Sequence, residues 1–173
     1  MTQNKRILLA LLILLLIVTA VLLIENGRRQ AQAEQAQSLM PPGMPTAAPG
    51  SIPIYYNDDL TASFQPTDLE QLTRANFTDT EEGKTQEGWM LRDVLRLYLP
   101  AAELTPETIV TVISNHRGKS VQLTWAEVDA PVNMVMFDLS GRGTLKLVSL
   151  LPRLDTREEW VQDVDRIEVI SNQ

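Results

Sequence analysis

Eighteen consecutive residues, Ile7 to Ile24, contain no charge, no proline and no glycine. As an α-helix rising 1.5 Å per residue, the run spans roughly 27 Å, close to the hydrocarbon thickness of a bilayer. Thr19 is its one polar side chain, and a threonine hydroxyl can bond back to a carbonyl one turn earlier. Residues 1–25 are therefore expected to form an N-terminal transmembrane signal anchor that meets lipid through residues 7–24. Lys5 and Arg6 precede the run while Arg28 and Arg29 follow it, so flanking charge discriminates orientation poorly. The short N-terminal tail ahead of a large domain favours an N-terminus inside and a C-terminal domain outside, in a periplasm or at a cell surface. A cleaved signal peptide is the competing reading. Ala31-Gln32-Ala33 has the small-x-small form of a cleavage site, but it lies beyond two arginines and the apolar run exceeds the usual core of about 7–15 residues.

Residues 26–53 change character. Gln30, Gln32, Gln35 and Gln37 alternate with small residues, and then Pro41, Pro42, Pro45, Pro49 and Pro53 arrive with Gly43 and Gly50. Proline lacks an N–H and restrains the residue before it, so the second half is expected to be an extended tether holding a domain away from the membrane. Residues 54–173 then hold 11 basic and 20 acidic side chains, a net of 11 − 20 = −9. Affinity for nucleic acid comes mainly from Lys and Arg, so a nucleic-acid partner is not expected. The chain has no cysteine, which excludes disulfides, thiolate catalysis, Fe–S clusters and Cys zinc sites.

Within 54–173 the pattern is an α+β domain with a mixed or antiparallel sheet and short helices, because strands and helices interleave without a regular βαβ rhythm. Strands are expected at 60–64, 75–80, 109–113, 121–123, 132–139, 144–150 and 166–170. The β-branched run Ile109 to Ile113 reads as fully buried, and Asn115 to Gly118 reads as a hairpin turn. Thr67-x-x-Glu70 and Thr124-x-x-Glu127 have capping-box spacing, and Asp155 to Glu158 is expected to cap a helix running through Val164. Leu91, Val94, Leu95 and Tyr98 form one helical stripe that stops at Pro100. One core should contain Leu91, Val94, Leu95, Ile109, Val112, Leu147, Ile167 and Val169.

Few residues carry the spacing of a chemical site. Asp58-Asp59, Glu81-Glu82 and Glu158-Glu159 are sequence neighbours, whereas acid–base pairs must converge on one substrate, so these read as solvated charge. His116, the only imidazole, reads as an exposed turn residue. Gly141-Arg142-Gly143 lacks the third glycine and following helix of a phosphate loop and reads as a hairpin turn. Asn76-Phe77-Thr78 matches a glycosylation triplet but falls in an expected strand. Trp89, Trp125 and Trp160 read as core or sheet-covering residues. No catalytic residue and no metal ligand is assigned, and cofactor-binding residues remain unknown.

Several segments, in order, resemble the molybdopterin-binding domain of the sulfite oxidase family. They are Ser63 to Leu72, Gly88-Trp89-Met90-Leu91-Arg92-Asp93-Val94-Leu95, the Ile109–Leu123 hairpin, and Trp160 to Val169. The resemblance covers about residues 60–171 and implies that fold. It also implies a cysteine ligand to molybdenum in the loop before Gly88-Trp89. Here that loop, Asp79 to Glu87, reads DTEEGKTQE, and only Thr80 or Thr85 could offer a hydroxyl in its place. No cofactor residue of the family transfers to a matching position.

Taken together, the sequence leads to a single-pass, membrane-anchored, non-catalytic accessory, assembly or binding domain, a subunit of a larger membrane complex with protein partners and no cofactor. The alternatives are a molybdopterin-binding oxidoreductase-type subunit and an extracytoplasmic small-ligand-binding or sensory domain. The anchor has a direct test: full-length protein should remain in the membrane fraction through a carbonate wash, because burial of an apolar helix does not depend on ionic strength. A mature chain beginning at Glu34 would show cleavage instead.

Overall fold

The computed structural model describes residues 47–171 apart from 140 and 142. The apolar run and most of the linker lie outside the described residues; among the described residues no helix is long and apolar enough to cross a membrane. Ala47–Gln173 forms one compact unit of α+β architecture, with one mixed sheet, one antiparallel sheet and few short helices.

The first sheet has five strands: β1 (Ile52–Tyr56), β2 (Asp59–Phe64), β5 (Ile109–Ser114), β6 (Lys119–Thr124) and β9 (Arg166–Ile170), in the order β2-β1-β9-β5-β6. The second has four antiparallel strands: β3 (Arg74–Thr78), β4 (Thr85–Met90), β7 (Met136–Leu139) and β8 (Leu145–Val148). Helix α1 (Leu91–Tyr98) and the short α2 (Trp125–Asp129) complete the frame. The principal core lies among these elements, with Ile54, Phe64, Leu91, Val94, Val110, Val112, Phe137, Ile167 and Val169 all fully buried. A second, smaller cluster of Phe77, Met90, Met136, Val148 and Trp160 lies on the other face of the four-stranded sheet.

Local sequence explains the turns. Asn57 and Asp58 both take positive φ, 49° and 70°, the two left-handed residues that a tight hairpin between β1 and β2 requires. Thr124 caps α2 as its spacing predicts: its hydroxyl accepts from the Glu127 N–H while the Glu127 carboxylate accepts from the Thr124 N–H. The closing strand β9 pairs inside its sheet, parallel to β1 and antiparallel to β5.

Other expectations need correcting. Strand β1 begins at Ile52, so a cut that leaves the sheet whole must fall before residues 52 and 53, which composition alone groups with the linker. Residues 66–71 form a 3₁₀ helix opened by Pro66, and the capping carboxylate is Asp68, which accepts from the Gln65 N–H at 2.7 Å, not Glu70. Ile109 is only half-buried, because β5 alternates and buries Val110, Val112 and Ser114. Residues 132–135 are not strand: Pro131–Asn133 makes a 3₁₀ turn and Met134 is left-handed. The Asn133 carbonyl accepts from the Leu150 N–H and the Ser149 hydroxyl, which fixes that turn. Strand β4 starts at Thr85, inside the expected loop. The helix expected from Asp155 to Val164 is absent. That segment turns irregularly so that Val161 can bridge Leu147 on the β8 edge, and Asp163 adopts φ 54°.

Gly88 sets the spacing between β4 and β7. A Cβ there would lie 1.7 Å from the Phe137 carbonyl oxygen, a clash with backbone that no rotamer change relieves. Gly88→Ala should therefore cost about 3 kcal/mol or more, at the upper end of overpacking effects, measured as a lowered denaturant midpoint. Removing residues 166–173 should unfold the domain outright, because β9 is the middle strand of its sheet.

Candidate functional site

The loop that the family resemblance singles out, Asp79 to Glu87, is built around a buried carboxylate. Asp79 is 2% exposed. Its Oδ1 accepts the Glu82 N–H at 2.7 Å, and its Oδ2 accepts Gln86 Nε2 at 2.8 Å and an Arg157 Nη2 at 3.2 Å. Arg157 also pairs with Glu82 at 2.8 Å, and its backbone N–H donates to Glu81. The network continues from Gln86 Oε1, which accepts Lys146 Nζ at 2.8 Å, to Asp138, which pairs with the same ammonium at 2.9 Å. Lys146 and Arg157 both lie against the Trp160 ring. The Glu82 N–H above all, then Gln86 and Arg157, hold the Asp79 carboxyl below its ordinary range despite burial. Lys84 and Arg157 do the same for Glu82.

This arrangement joins the irregular segment 151–160 to the β3–β4 turn. It does not fit a metal held by a thiolate. Asp79 is engaged through both carboxylate oxygens and Gln86 at both ends of its amide, and Thr80 and Thr85 are exposed. Among the described residues, no three His, Cys, Asp or Glu side chains are grouped as ligands to one ion.

The same economy holds elsewhere. Arg74, Lys84, Arg92, Arg96, Arg117, Lys146, Arg153, Arg157 and Arg166 each pair with a carboxylate. Among the described basic residues only Lys119 has no carboxylate partner, and its ammonium donates to the Glu158 carbonyl. A small depression of about 250 Å³ lined by Arg117, Lys119, Trp160 and Gln162 therefore presents two cations that are already committed.

A larger cleft, about 440 Å³, is lined by Leu104, Pro106, Trp125, Ala126 and Pro131, together with Asp129. Arg96 ties Asp129 down at 2.7 Å and stacks on Trp125. The cleft is apolar with one neutralised acid, a surface for contact and not a set of groups for bond making. Sequence reading missed it, because Pro106, Trp125 and Pro131 come together only through packing.

The remaining candidates stay apart. His116 is exposed in the β5–β6 turn, where its backbone N–H donates to Asp165. Asp58 and Asp59 are exposed at the β1–β2 turn, and Glu158 and Glu159 are exposed in the segment before Trp160. Gly143 takes φ 78° between the paired ends of β7 and β8; Arg142 lies outside the described residues. Asn76 is exposed on the edge strand β3. Trp89, Trp125 and Trp160 are buried, at 1%, 5% and 3% exposure, as core or sheet-covering residues should be. No model of a known protein family matches this chain, and no curated protein matches it either.

The lowered carboxylates give the domain a defined acid limit. For Glu127, burial pushes the carboxyl up, but the Thr124 N–H and Arg153 outweigh it and the net shift is down. A carboxylate with a lowered folded pKa adds stability that is complete above its unfolded value, about 4, and lost as pH falls through the folded value. Melting temperature should therefore be flat near neutrality and fall steeply below about pH 4. Asp79→Asn should lower the neutral plateau and flatten the acid limb; an unchanged acid limb would remove Asp79 from the cause.

Proposed function

We propose that this protein is a membrane-anchored, extracytoplasmic accessory domain that binds or assembles partner proteins and performs no chemistry of its own. The observation that carries the reading is the intramolecular commitment of polar groups. Every described cation already has a partner within the chain, and the loop that the resemblance matches to the family's metal-binding loop is closed by the Asp79–Arg157 pair. An enzyme keeps converging groups available to a substrate; here the converging groups bind each other. The anionic phosphate of a pterin would meet the acidic turn Asp79–Glu82 and no uncommitted arginine. The charge-free run at residues 7–24 supplies the anchor in this reading, and the proline-rich linker supplies the reach. The two-sheet α+β frame is compatible with a degenerate relative of the molybdopterin-binding domain of the sulfite oxidase family that lacks the cofactor.

The 440 Å³ cleft beside Trp125 favours one second reading, an extracytoplasmic domain that takes a small apolar ligand. The two readings separate experimentally. Mild detergent extraction of full-length protein should bring down stoichiometric protein partners, and elemental analysis should find far less than one molybdenum per chain. Stoichiometric molybdenum or a pterin chromophore would overturn the accessory reading in favour of an oxidoreductase subunit. A single chain purified with a bound small molecule and no partner would favour the ligand reading.

A further inference from the structure

Between Leu154 and Val161 the chain is held almost entirely by side chains. Leu154 and Val161 are themselves firm anchors: both are buried in the principal core, and the Val161 carbonyl accepts the Leu147 N–H on β8. Residues 155–160, which join them, form neither strand nor helix. Among the described residues no backbone–backbone hydrogen bond ties this segment to another part of the domain. The one such bond it makes, from the Glu159 N–H to the Thr156 carbonyl, closes a turn inside it. Its outward polar contacts all involve a side chain. Arg157 reaches Asp79 at 3.2 Å and Glu82 at 2.8 Å, its N–H donates to the Glu81 carboxylate at 3.1 Å, and the Lys119 ammonium donates to the Glu158 carbonyl. Trp160 alone is anchored by burial, in the smaller apolar cluster with Phe77, Met90, Met136 and Val148. The division between the two apolar clusters thus falls between Trp160 and Val161.

Charge works against closure of this segment. Residues 155–160 carry Arg157 against Asp155, Glu158 and Glu159, a sum of 1 − 3 = −2. The β3–β4 turn that they meet carries Lys84 against Asp79, Glu81 and Glu82, again 1 − 3 = −2. Like charges brought together repel, and Arg157 is the cation that bridges the two segments. Its Nε is buried with no hydrogen-bond partner among the described residues, so part of its desolvation goes uncompensated.

We propose that residues 155–160 are a flap that opens while the rest of the domain stays folded, with Arg157 as its latch and the Trp160 indole as its plug. Opening breaks the indole's bond to the Leu154 carbonyl, turns the ring out of the smaller cluster and uncovers Phe77, Met90 and Met136. The uncovered site is apolar and holds two flexible thioethers, which adapt to groups of differing shape. In the closed state the chain's own indole fills it. The event is local because Leu154 and Val161 stay in the principal core and the Leu147–Val161 bridge stays made. Segments with few backbone bonds to their surroundings open at a lower free energy than the whole domain. The inference does not depend on the accessory reading above.

The tryptophans supply the probes, since Trp89 lies in the principal core and Trp160 in the smaller cluster. In full-length protein kept in mild detergent, hydrogen exchange followed by NMR should find the Trp160 indole proton exchanging at least about tenfold faster than the Trp89 indole proton and the Leu147 amide. Local opening exposes little surface, so the Trp160 rate should stay flat in low urea while the other two rise with it. Arg157→Gln should speed Trp160 exchange by at least about tenfold, because it removes charge-assisted bonds made only when the flap is shut. Arg153→Gln removes a pair with Glu127 that the open flap keeps, so it should speed Trp89 exchange and leave Trp160 exchange unchanged. Circular dichroism melts verify that both variants are folded. A single rate and urea dependence for all three protons of the unmutated protein, unchanged Trp160 exchange in Arg157→Gln, or equal effects of the two variants on Trp160 would overturn the proposal.

Discussion

The last strand of the chain holds its first sheet together. β9 lies between β1 and β5, parallel to one and antiparallel to the other, and its Ile167 and Val169 are completely buried. Without it, the β1–β2 hairpin and the β5–β6 hairpin share no ladder, and the core of Ile54, Val110 and Val112 opens along its middle. β1 and β9 are separated by more than a hundred residues, so their pairing is among the least local contacts in the domain and pays its loop-closure entropy late. The Asn57 side chain reinforces the seam by accepting the Ser171 N–H at 3.0 Å, and its own N–H donates to the Val169 carbonyl. The tight turn after β1 therefore clasps the strand that arrives last.

Segment 151–165 exists in its irregular form because of that closure. It must carry the chain from β8, in one sheet, to β9, in the other, while covering the outer side of the four-stranded sheet. Trp160 does the covering, its indole N–H donating to the Leu154 carbonyl at 2.8 Å, and Val161 and Val164 satisfy the β8 edge through Leu147 and Leu145. A helix over the same residues would take up the Val161 carbonyl and the Val164 N–H internally and leave the edge of β8 away from β7 without partners. Arg157 is pulled onto Asp79 by the same route, so the polar network is a consequence of the crossing between sheets.

Much of the fold was legible in the sequence where one local signal dominates. The α1 stripe, the Thr124–Glu127 capping box, the β5–β6 hairpin and β9 are each specified by residues within a few positions of one another. What escaped has a common physical origin. β4 reads Thr85-Gln86-Glu87-Gly88, with almost no apolar alternation, because its outward face carries Gln86 into a buried hydrogen-bond network and its backbone presses against Phe137 at Gly88. β1 is hidden by Pro53, which is tolerated because it is the second residue of the strand and precedes the ladder to β9, which begins at Ile54. Ile109 was misread because a β-branched run does not report which of its faces is covered. At the candidate site the sequence disclosed the acidic loop and the lack of thiolate, but not Arg157, whose approach to Asp79 is set wholly by tertiary structure.

The outward face of β5 bears on how the domain meets its surroundings. A run of Ile, Val, Thr, Val and Ile is the composition of a strand covered on both faces, yet within one chain only one face is covered. At β5, sequence and structure disagree on whether the outward face, Ile109, Thr111 and Ile113, is covered. Elsewhere the acidic surplus is spread over turns, helices and strands, and a net charge far from zero discourages unspecific contact. An edge strand long and flat enough to recruit other chains would be a hazard. The β8 edge is bridged by Val161, and Arg153 donates to the Gln122 carbonyl on β6. These contacts close the two edges at those points to addition of a further strand.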